Sequence, residues 1–568
     1  MVEKNNNSRL VVLQTLILLG ILVLINVISR SVYTFIDLTE DKRFTLTDST
    51  QKLLEEVDDI IYIDVLLSGD LPSGFKRLQN RTEEIIKQMR SVNPNIEYKF
   101  SEINKGTPEE INDIRLNLAK DNIYPFNLLV MEEDQRVEKL IYPFALLQLG
   151  NRKIPIRLLE ARSKGEGEEQ ALNKSANNLE YKFASAIEKL FKKSAPLVLF
   201  TTGNGELLES QTATLEQGLR NTMNTGRINL DSIYRIDSSV DILVVARPTE
   251  PLKEKHKFII DQYVMNGGKV IWFIEPLFAN LDSINMKDVY VPRVYEHGLD
   301  DMFFKYGVRF KNDLVLSVDE NSNIPQVIGR GGGQAQQELF PWVYHPLLQS
   351  SGKHPIVNNI DRVYSTFPSS IDLLERPGLE QTVLLTSSKY SRYQLYPMRL
   401  SFEIVKIKQE PDAYNKSFLP VAVMVEGEFE SFYKNRVTQE MENGLARLNA
   451  SFVDKSSRTS QVFVADSDVI KNLYNPRTEQ ISPLGFNKWD GMEYKGNAEF
   501  LANLIDYMTD EYGLIEARTK NLQLRLLDQV KIKKEKTKWQ MINILLPIVF
   551  VLLLGLLFNY LRKKKYTT

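Results

Sequence analysis

Two apolar stretches at the ends of the chain, Leu10 to Ile28 and Met541 to Tyr560, constrain everything between them, because each is long enough to cross a bilayer as a helix. Both are apolar on all faces and carry only scattered uncharged interruptions: Gln14, Thr15 and Asn26 in the first, Asn543, Pro547 and Gly555 in the second. Neither therefore reads as a core helix, which would show a polar face. The first is also unlike a cleaved signal, whose apolar region spans about 7–15 residues and ends at a small-residue site. Here the run continues into Ser29-Arg30-Ser31-Val32-Tyr33, and an uncleaved anchor is expected. With no cysteine in the chain, a lipid-acylated anchor, disulfides, thiolate-bound zinc and a thiol nucleophile are all excluded.

Flanking charge sets the expected orientation. Lys4 and Arg9 precede the first span, and Arg562, Lys563, Lys564 and Lys565 follow the second, which marks both tails, 1–9 and 561–568, as cytoplasmic. The basic run Lys531, Lys533, Lys534, Lys536 and Lys538 pulls the other way. Long domains nevertheless translocate largely regardless of charge, and the first span usually sets topology. The expectation is a bacterial inner-membrane protein with two spans, 10–29 and 541–560, both termini cytoplasmic and a large periplasmic body. The basic run then faces membrane lipid. Lys and Arg (71) nearly balance Asp and Glu (73), so no nucleic-acid partner is expected.

The body reads as α/β. Within 39–165, Thr47 or Asp48 can cap a helix through Leu53, Leu54 and Val57, followed by a strand at Ile60 to Leu67 and a helix at Phe75 to Arg90. A strand at Ile96 to Ile103, a helix at Pro108 to Lys120, and strands near Asn127 to Met131 and Val137 to Tyr142 complete a β-α-β-α-β-β order. That order suits a thioredoxin-like domain, redox-dead without a Cys-x-x-Cys. Gly165 to Glu169 reads as a loop.

A second domain spans 173–475. It has strands at Pro196 to Phe200, Asp241 to Ala246 and Lys269 to Ile274, with helices at Asn173 to Lys192, Thr212 to Met223 and Lys253 to Met265. Strands alternating with helices and joined by glycine turns predict a mostly parallel, doubly wound sheet. Ligands on such sheets bind beyond the carboxyl ends of the strands, here Thr201 to Glu206, Arg247 to Thr249 and Glu275. From Val308 a β-rich extension with a flexible Gly329 to Gln334 follows, then a strand at Gln461 to Ala465 and the turn Asp466-Ser467-Asp468. Residues 476–538 read as a helical stalk, with Phe500, Leu501, Leu504, Ile505 and Met508 as an apolar stripe.

Chemical motifs are scarce. Gly267-Gly268-Lys269 is followed by Val270, and Gly352-Lys353 by His354, so neither completes the phosphate loop G-x-x-x-x-G-K-[ST]. His256, His297, His345 and His354 form no metal-binding spacing; His345 and His354, each before a proline, suit surface or turn packing. Asp466 and Asp468 after a strand can bind Mg²⁺, although turn and cap duty is the commoner role of aspartates. Gly203, Asn204, Gly205, Glu206 and Glu275 are the candidate ligand-binding residues, and no cofactor, metal or catalytic residue is expected. The alternative is a membrane-anchored cell-wall glycan hydrolase using Glu206 and Glu275 as an acid-base pair.

Arg43-Phe44-Thr45-Leu46-Thr47 after the first span, Thr202-Gly203-Asn204-Gly205-Glu206, and Asp261 to Lys269, all before a closing span, resemble the gliding-motility family GldG. The resemblance covers essentially the whole chain. It implies an auxiliary or substrate-binding component of an ABC-type transport system, partnered by a multi-span permease (GldF-like) and a cytoplasmic ATPase (GldA-like). It also implies a glutamine-amidotransferase-like sheet in the second domain. Since that enzyme class needs a nucleophilic cysteine, its chemistry cannot carry over, and a non-catalytic binding or scaffold role is expected.

Overall fold

The computed structural model describes residues 45–121, 123–132, 135–160, 167–192, 194–220, 222–286, 289–331, 334–352, 354–447, 451–519 and 529–566, with residues 17, 20, 21 and 24 of the first apolar stretch. The remainder of that stretch, the Gly165-Glu166 part of the expected loop and the side chains of Lys531, Lys533 and Lys534 lie outside the described residues. The chain forms two compact units, Met1–Asn521 and Leu522–Thr568.

The first unit begins with helix α1 (Asp48–Glu56), which Thr47 caps by accepting the Thr50 amide, as the sequence predicts. Strand β1 (Ile61–Val65), helix α2 (Ser73–Val92), strand β2 (Ile96–Phe100) and helix α3 (Pro108–Lys120) follow in the expected order. The anticipated strand pair is present as β3 (Phe126–Glu132) and β4 (Gln135–Ile141), but among the described residues its members pair only with each other. The sheet is completed instead by β5 (Phe144–Leu149) and β6 (Arg152–Arg157), in the order β2-β1-β5-β6 with β5 antiparallel to both neighbours. Helices α4 (Glu168–Asn177) and α5 (Leu179–Phe191) pack their apolar faces into the same core, through Leu172, Phe183 and Ile187. Arg152 fixes α5 against β6: its guanidinium donates to the carbonyls of Lys189, Leu190 and Lys192, the groups a helix C-terminus leaves unpaired.

The same unit carries a ten-stranded sheet. Its strands are β7 (Leu197–Thr202), β8 (Asn224–Asn229), β9 (Ile242–Ala246), β10 (Lys269–Phe273), β11 (Asn321–Gly331), β12 (Gln334–Ser350), β13 (Leu379–Thr386), β14 (Pro420–Glu430) and β15 (Lys455–Val464), with a short strand, Val363–Tyr364, beside β12. The order is β11-β12-β13-β14-β15-β10-β9-β7-β8. From β8 to β15 every pairing is parallel, and from β15 to β11 every pairing is antiparallel. The expected mostly parallel sheet is thus a mixed one. Its parallel half is covered by helices, including α6 (Glu209–Leu219) and α7 (Glu254–Met265), and every residue of β9 is buried, as two-sided burial requires. Its other half is a long meander ending in the hairpin β11–β12, on whose tip the glycines of 329–331 sit. The stripe Phe500, Leu501, Leu504, Ile505 and Met508 belongs to helix α8 (Gly496–Thr509), which is buried in this core rather than standing apart as a stalk.

The second unit contains helix α9 (Gln529–Tyr566); within its segment Glu535–Lys564 the most apolar 18-residue window has a mean hydropathy of 2.8 and no buried residue. Length and composition suit it to span a bilayer.

Asp261 locks α7 to the meander. Fully buried, it accepts hydrogen bonds from Ser431 Oγ (2.6 Å), Phe432 N (2.7 Å), Tyr306 Oη (2.8 Å) and Gln262 Nε2 (3.0 Å). Removing the carboxylate strands those donors, and Asp261→Ala is expected to cost roughly 2–4 kcal/mol in denaturant unfolding. Asp261→Asn, which keeps two acceptor lone pairs, should lose less; equal losses would contradict this assignment.

Candidate functional site

In the order β8-β7-β9-β10-β15, the parallel half places β7 and β9 on either side of the point where the chain reverses its direction of winding, and ligands bind such sheets at the carboxyl edge near that point. Along this edge lie the turn after β7, Arg247 after β9, Glu275 after β10 and Asp466 to Asp468 after β15.

Four of the five candidate residues build one turn. Gly203 (φ +108°) and Gly205 (φ +78°) occupy left-handed conformations, and a Cβ on Gly205 would lie 2.0 Å from Thr249 Oγ1. Glu206 folds back on this turn: one carboxylate oxygen accepts the Asn204 amide at 2.6 Å, the other the Asn204 side chain at 3.2 Å. The Asn204 carbonyl accepts the amides of Thr249 and Glu250, and its side chain meets His256 Nδ1 at 3.0 Å. His256 Nε2 in turn lies 2.9 Å from Asp231, which Lys253 also pairs. The turn, the end of β8 and the start of α7 are thereby one hydrogen-bonded assembly.

Glu275 belongs to a different group. It, Asp466 and Asp468 each present an oxygen within 4.8 Å of the others. Ser467 Oγ donates to Glu275, the amides of Asp468 (2.7 Å) and Thr366 (2.8 Å) donate to Asp466, and Lys471 (2.8 Å) and the Thr366 hydroxyl donate to Asp468. Burial, then the Asp468 charge, push the Glu275 carboxyl up to about 7. Burial and its two carboxylate neighbours likewise raise Asp466. Burial opposes ionisation of Asp468 too, but there the Lys471 ammonium prevails and holds it at about 2. Arg247 contributes positive charge to this group from a left-handed backbone (φ +56°), and its Nε is buried without a hydrogen-bond partner among the described residues. Beside the group is a cavity of about 140 Å³ lined by His345, Tyr364, Thr366, Asp468, Lys471 and Trp489 among others.

Residues 195–504, more than half of the chain, match the family described as an ABC-type uncharacterized transport system, of which they are the auxiliary component. The chain belongs to this family. Residues 40–148 match a further domain of unknown function. An uncharacterized protein of Borreliella burgdorferi is 20% identical over 560 residues, covering 93% of both chains. Among solved structures, an mmIFT52 N-terminal domain is similar at 10% identity and a TM-score of 0.30, over 56% of this chain and 98% of that one. An exo-β-1,4-mannosidase from Opitutaceae bacterium strain TAV5 is similar at 10% identity and a TM-score of 0.19, over 77% of this chain and 54% of that one. Neither of these two likenesses bears on fold or function.

Both carboxylate groups of this family member lie inside the matched segment, but the structure does not join them as a pair. No hydrogen bond links Glu206 to Glu275 among the described residues; Glu206 is held by Asn204 and Glu275 by Ser467. His345, Lys471 and Thr366 were not marked by the sequence as members of a site. Contrary to its expected surface or turn packing, His345 lies within β12 and is 1% exposed. The Asp-Ser-Asp spacing after an apolar strand was the one legible signal, and Lys471 follows it by one helical turn.

With both oxygens engaged by Asn204, Glu206 acts as a turn residue. Glu206→Ala is expected to lower stability by about 1–2 kcal/mol in chemical unfolding, the cost of an amide left without its acceptor. Glu206→Gln, which retains one acceptor, should lose less than half of that, and a stability unchanged in Glu206→Ala would remove the carboxylate from this role.

Proposed function

We propose that the chain is a non-catalytic, membrane-anchored auxiliary subunit, with a binding or scaffold role, of an ABC-type transporter complex involved in gliding motility. The observation that carries the reading is the family match across 195–504 in a chain whose Gly267-Gly268-Lys269 is a helix-to-strand turn and no phosphate loop. ATP turnover then belongs to a GldA-like ATPase and the pathway to a GldF-like multi-span permease. The order β2-β1-β5-β6 with an antiparallel third strand supports a thioredoxin-like N-terminal domain, and the parallel half of the large sheet supports an amidotransferase-like second domain used as scaffold. In this reading the carboxyl edge with Gly203, Asn204, Gly205, Glu206 and Glu275 faces the bound partner or solute. The glycan-hydrolase alternative is disfavoured because both Glu206 oxygens are spent on Asn204.

The same reading keeps both spans in the inner membrane, the body in the periplasm, both termini in the cytoplasm and the basic run from Lys531 to Lys538 against lipid. The absence of native cysteine makes each introduced thiol unique. Lys408, whose side chain is 86% exposed, provides a probe on the body. In intact spheroplasts Lys408→Cys should react with a membrane-impermeant maleimide, while Thr567→Cys reacts only after lysis. Labelling of Thr567→Cys but not Lys408→Cys in intact cells would invert the topology.

A further inference from the structure

Glu275 and Asp466 each lie two residues beyond the ends of two adjacent parallel strands, β10 and β15, so the sheet brings them together, and Asp468 joins them from the 3-10 turn Ser467–Val469 that Asp466 caps. Three carboxylate oxygens so placed are a donor set suited to hard divalent cations, which take oxygen ligands and, in the case of Mg²⁺, keep several waters. The side chains are also fixed in advance. Two backbone amides orient Asp466, Thr366 and Lys471 orient Asp468, and Ser467 orients Glu275. Such supporting hydrogen bonds are what hold first ligands in place around metals. Each of these donors occupies a single lone pair, and a carboxylate oxygen has two.

An independent observation points to an occupant. His345 is 1% exposed, yet among the described residues neither ring nitrogen has a hydrogen-bond partner, and the ring lines the cavity that Asp468 and Lys471 also line. A buried imidazole without a partner is costly, and its neighbours Tyr364 and Phe367 meet it edge-on with their rings. A cavity of about 140 Å³ has room for several waters, which would reach the imidazole from the carboxylate side. We propose that Glu275, Asp466 and Asp468 bind a hydrated divalent cation of the Mg²⁺ or Ca²⁺ class, whose water shell supplies the missing partners of His345. The site stands whether or not the body carries a solute, and it departs from the sequence expectation of no metal.

The test is titration of the full-length chain in detergent with Mn²⁺, followed by electron paramagnetic resonance, with Mg²⁺ and Ca²⁺ as competitors. One saturable Mn²⁺ per chain, displaced by Mg²⁺ or Ca²⁺, is expected, with Kd raised at least tenfold in Glu275→Gln and in Asp468→Asn. Ser467→Ala, which removes only the hydroxyl orienting Glu275, should raise Kd severalfold and leave the melting temperature of the cation-free protein nearly unchanged. This variant keeps the test decisive if a carboxylate variant fails to fold. Absence of a saturable site, or a Kd unmoved by Ser467→Ala and by whichever carboxylate variants fold, would overturn the proposal.

Discussion

Strand β15 is the member on which the rest of the body depends. It pairs in parallel with β10 on one side and antiparallel with β14 on the other, so the wound half and the meander half of the sheet exist as one sheet only through it. Val462, Phe463 and Val464 are fully buried, Phe463 stacks on Trp272 at 6.4 Å, and the Trp272 indole donates to Gln461 Oε1 at 3.0 Å. These partners are far apart in sequence, so the register must be specified by side chains rather than by a turn. The same strand delivers Asp466 and Asp468 to Glu275, which ties the acidic group to the completion of the sheet.

The N-terminal part is fastened to this sheet through α8. Tyr181 and Lys189 of α5 reach Asp506, Lys174 of α4 reaches Glu499, and Arg518 donates to Asn503 while Leu514 and Ile515 enter the N-terminal core. These partly buried, charge-assisted bonds contribute more than surface pairs because solvent screens them less. The body of this auxiliary subunit is thus firmly joined within itself, and among the described residues α9 is the one helix long and apolar enough to span a bilayer. The family membership implies partnership with the other components of a transport system.

Much of the architecture was legible where burial is two-sided. The β-branched and aromatic runs of β9 and β10 are short, apolar and bounded by turns, and they stand where the sequence puts them, as does β1, whose burial alternates between its two faces. The turn after β7 was equally visible, since Gly203 and Gly205 both need positive φ. Strand β6, Arg152-Lys153-Ile154-Pro155-Ile156-Arg157, was missed because it is a one-sided edge strand with a proline and three cations, of which only Ile156 is buried. The meander strands were blurred for a related reason: β13 alternates weakly and finds its partners only after long excursions. His345 was misread because His-Pro suggests a turn, whereas Pro346 is accommodated beside an irregularity in the β11–β12 pairing. The union of Glu275 with Asp466 could not be read at all, since it follows from the parallel pairing of strands about 190 residues apart.

The central claim is that this chain works as a non-catalytic subunit beside a permease and an ATPase. Affinity purification of the full-length chain from its native membranes in mild detergent, with subunits identified and counted by native mass spectrometry, addresses it most directly. The account predicts fixed-ratio recovery of a multi-span membrane protein and of an ATPase carrying a complete phosphate loop. Recovery of the chain alone, or with partners that include neither, under conditions that keep other membrane complexes intact, would contradict it.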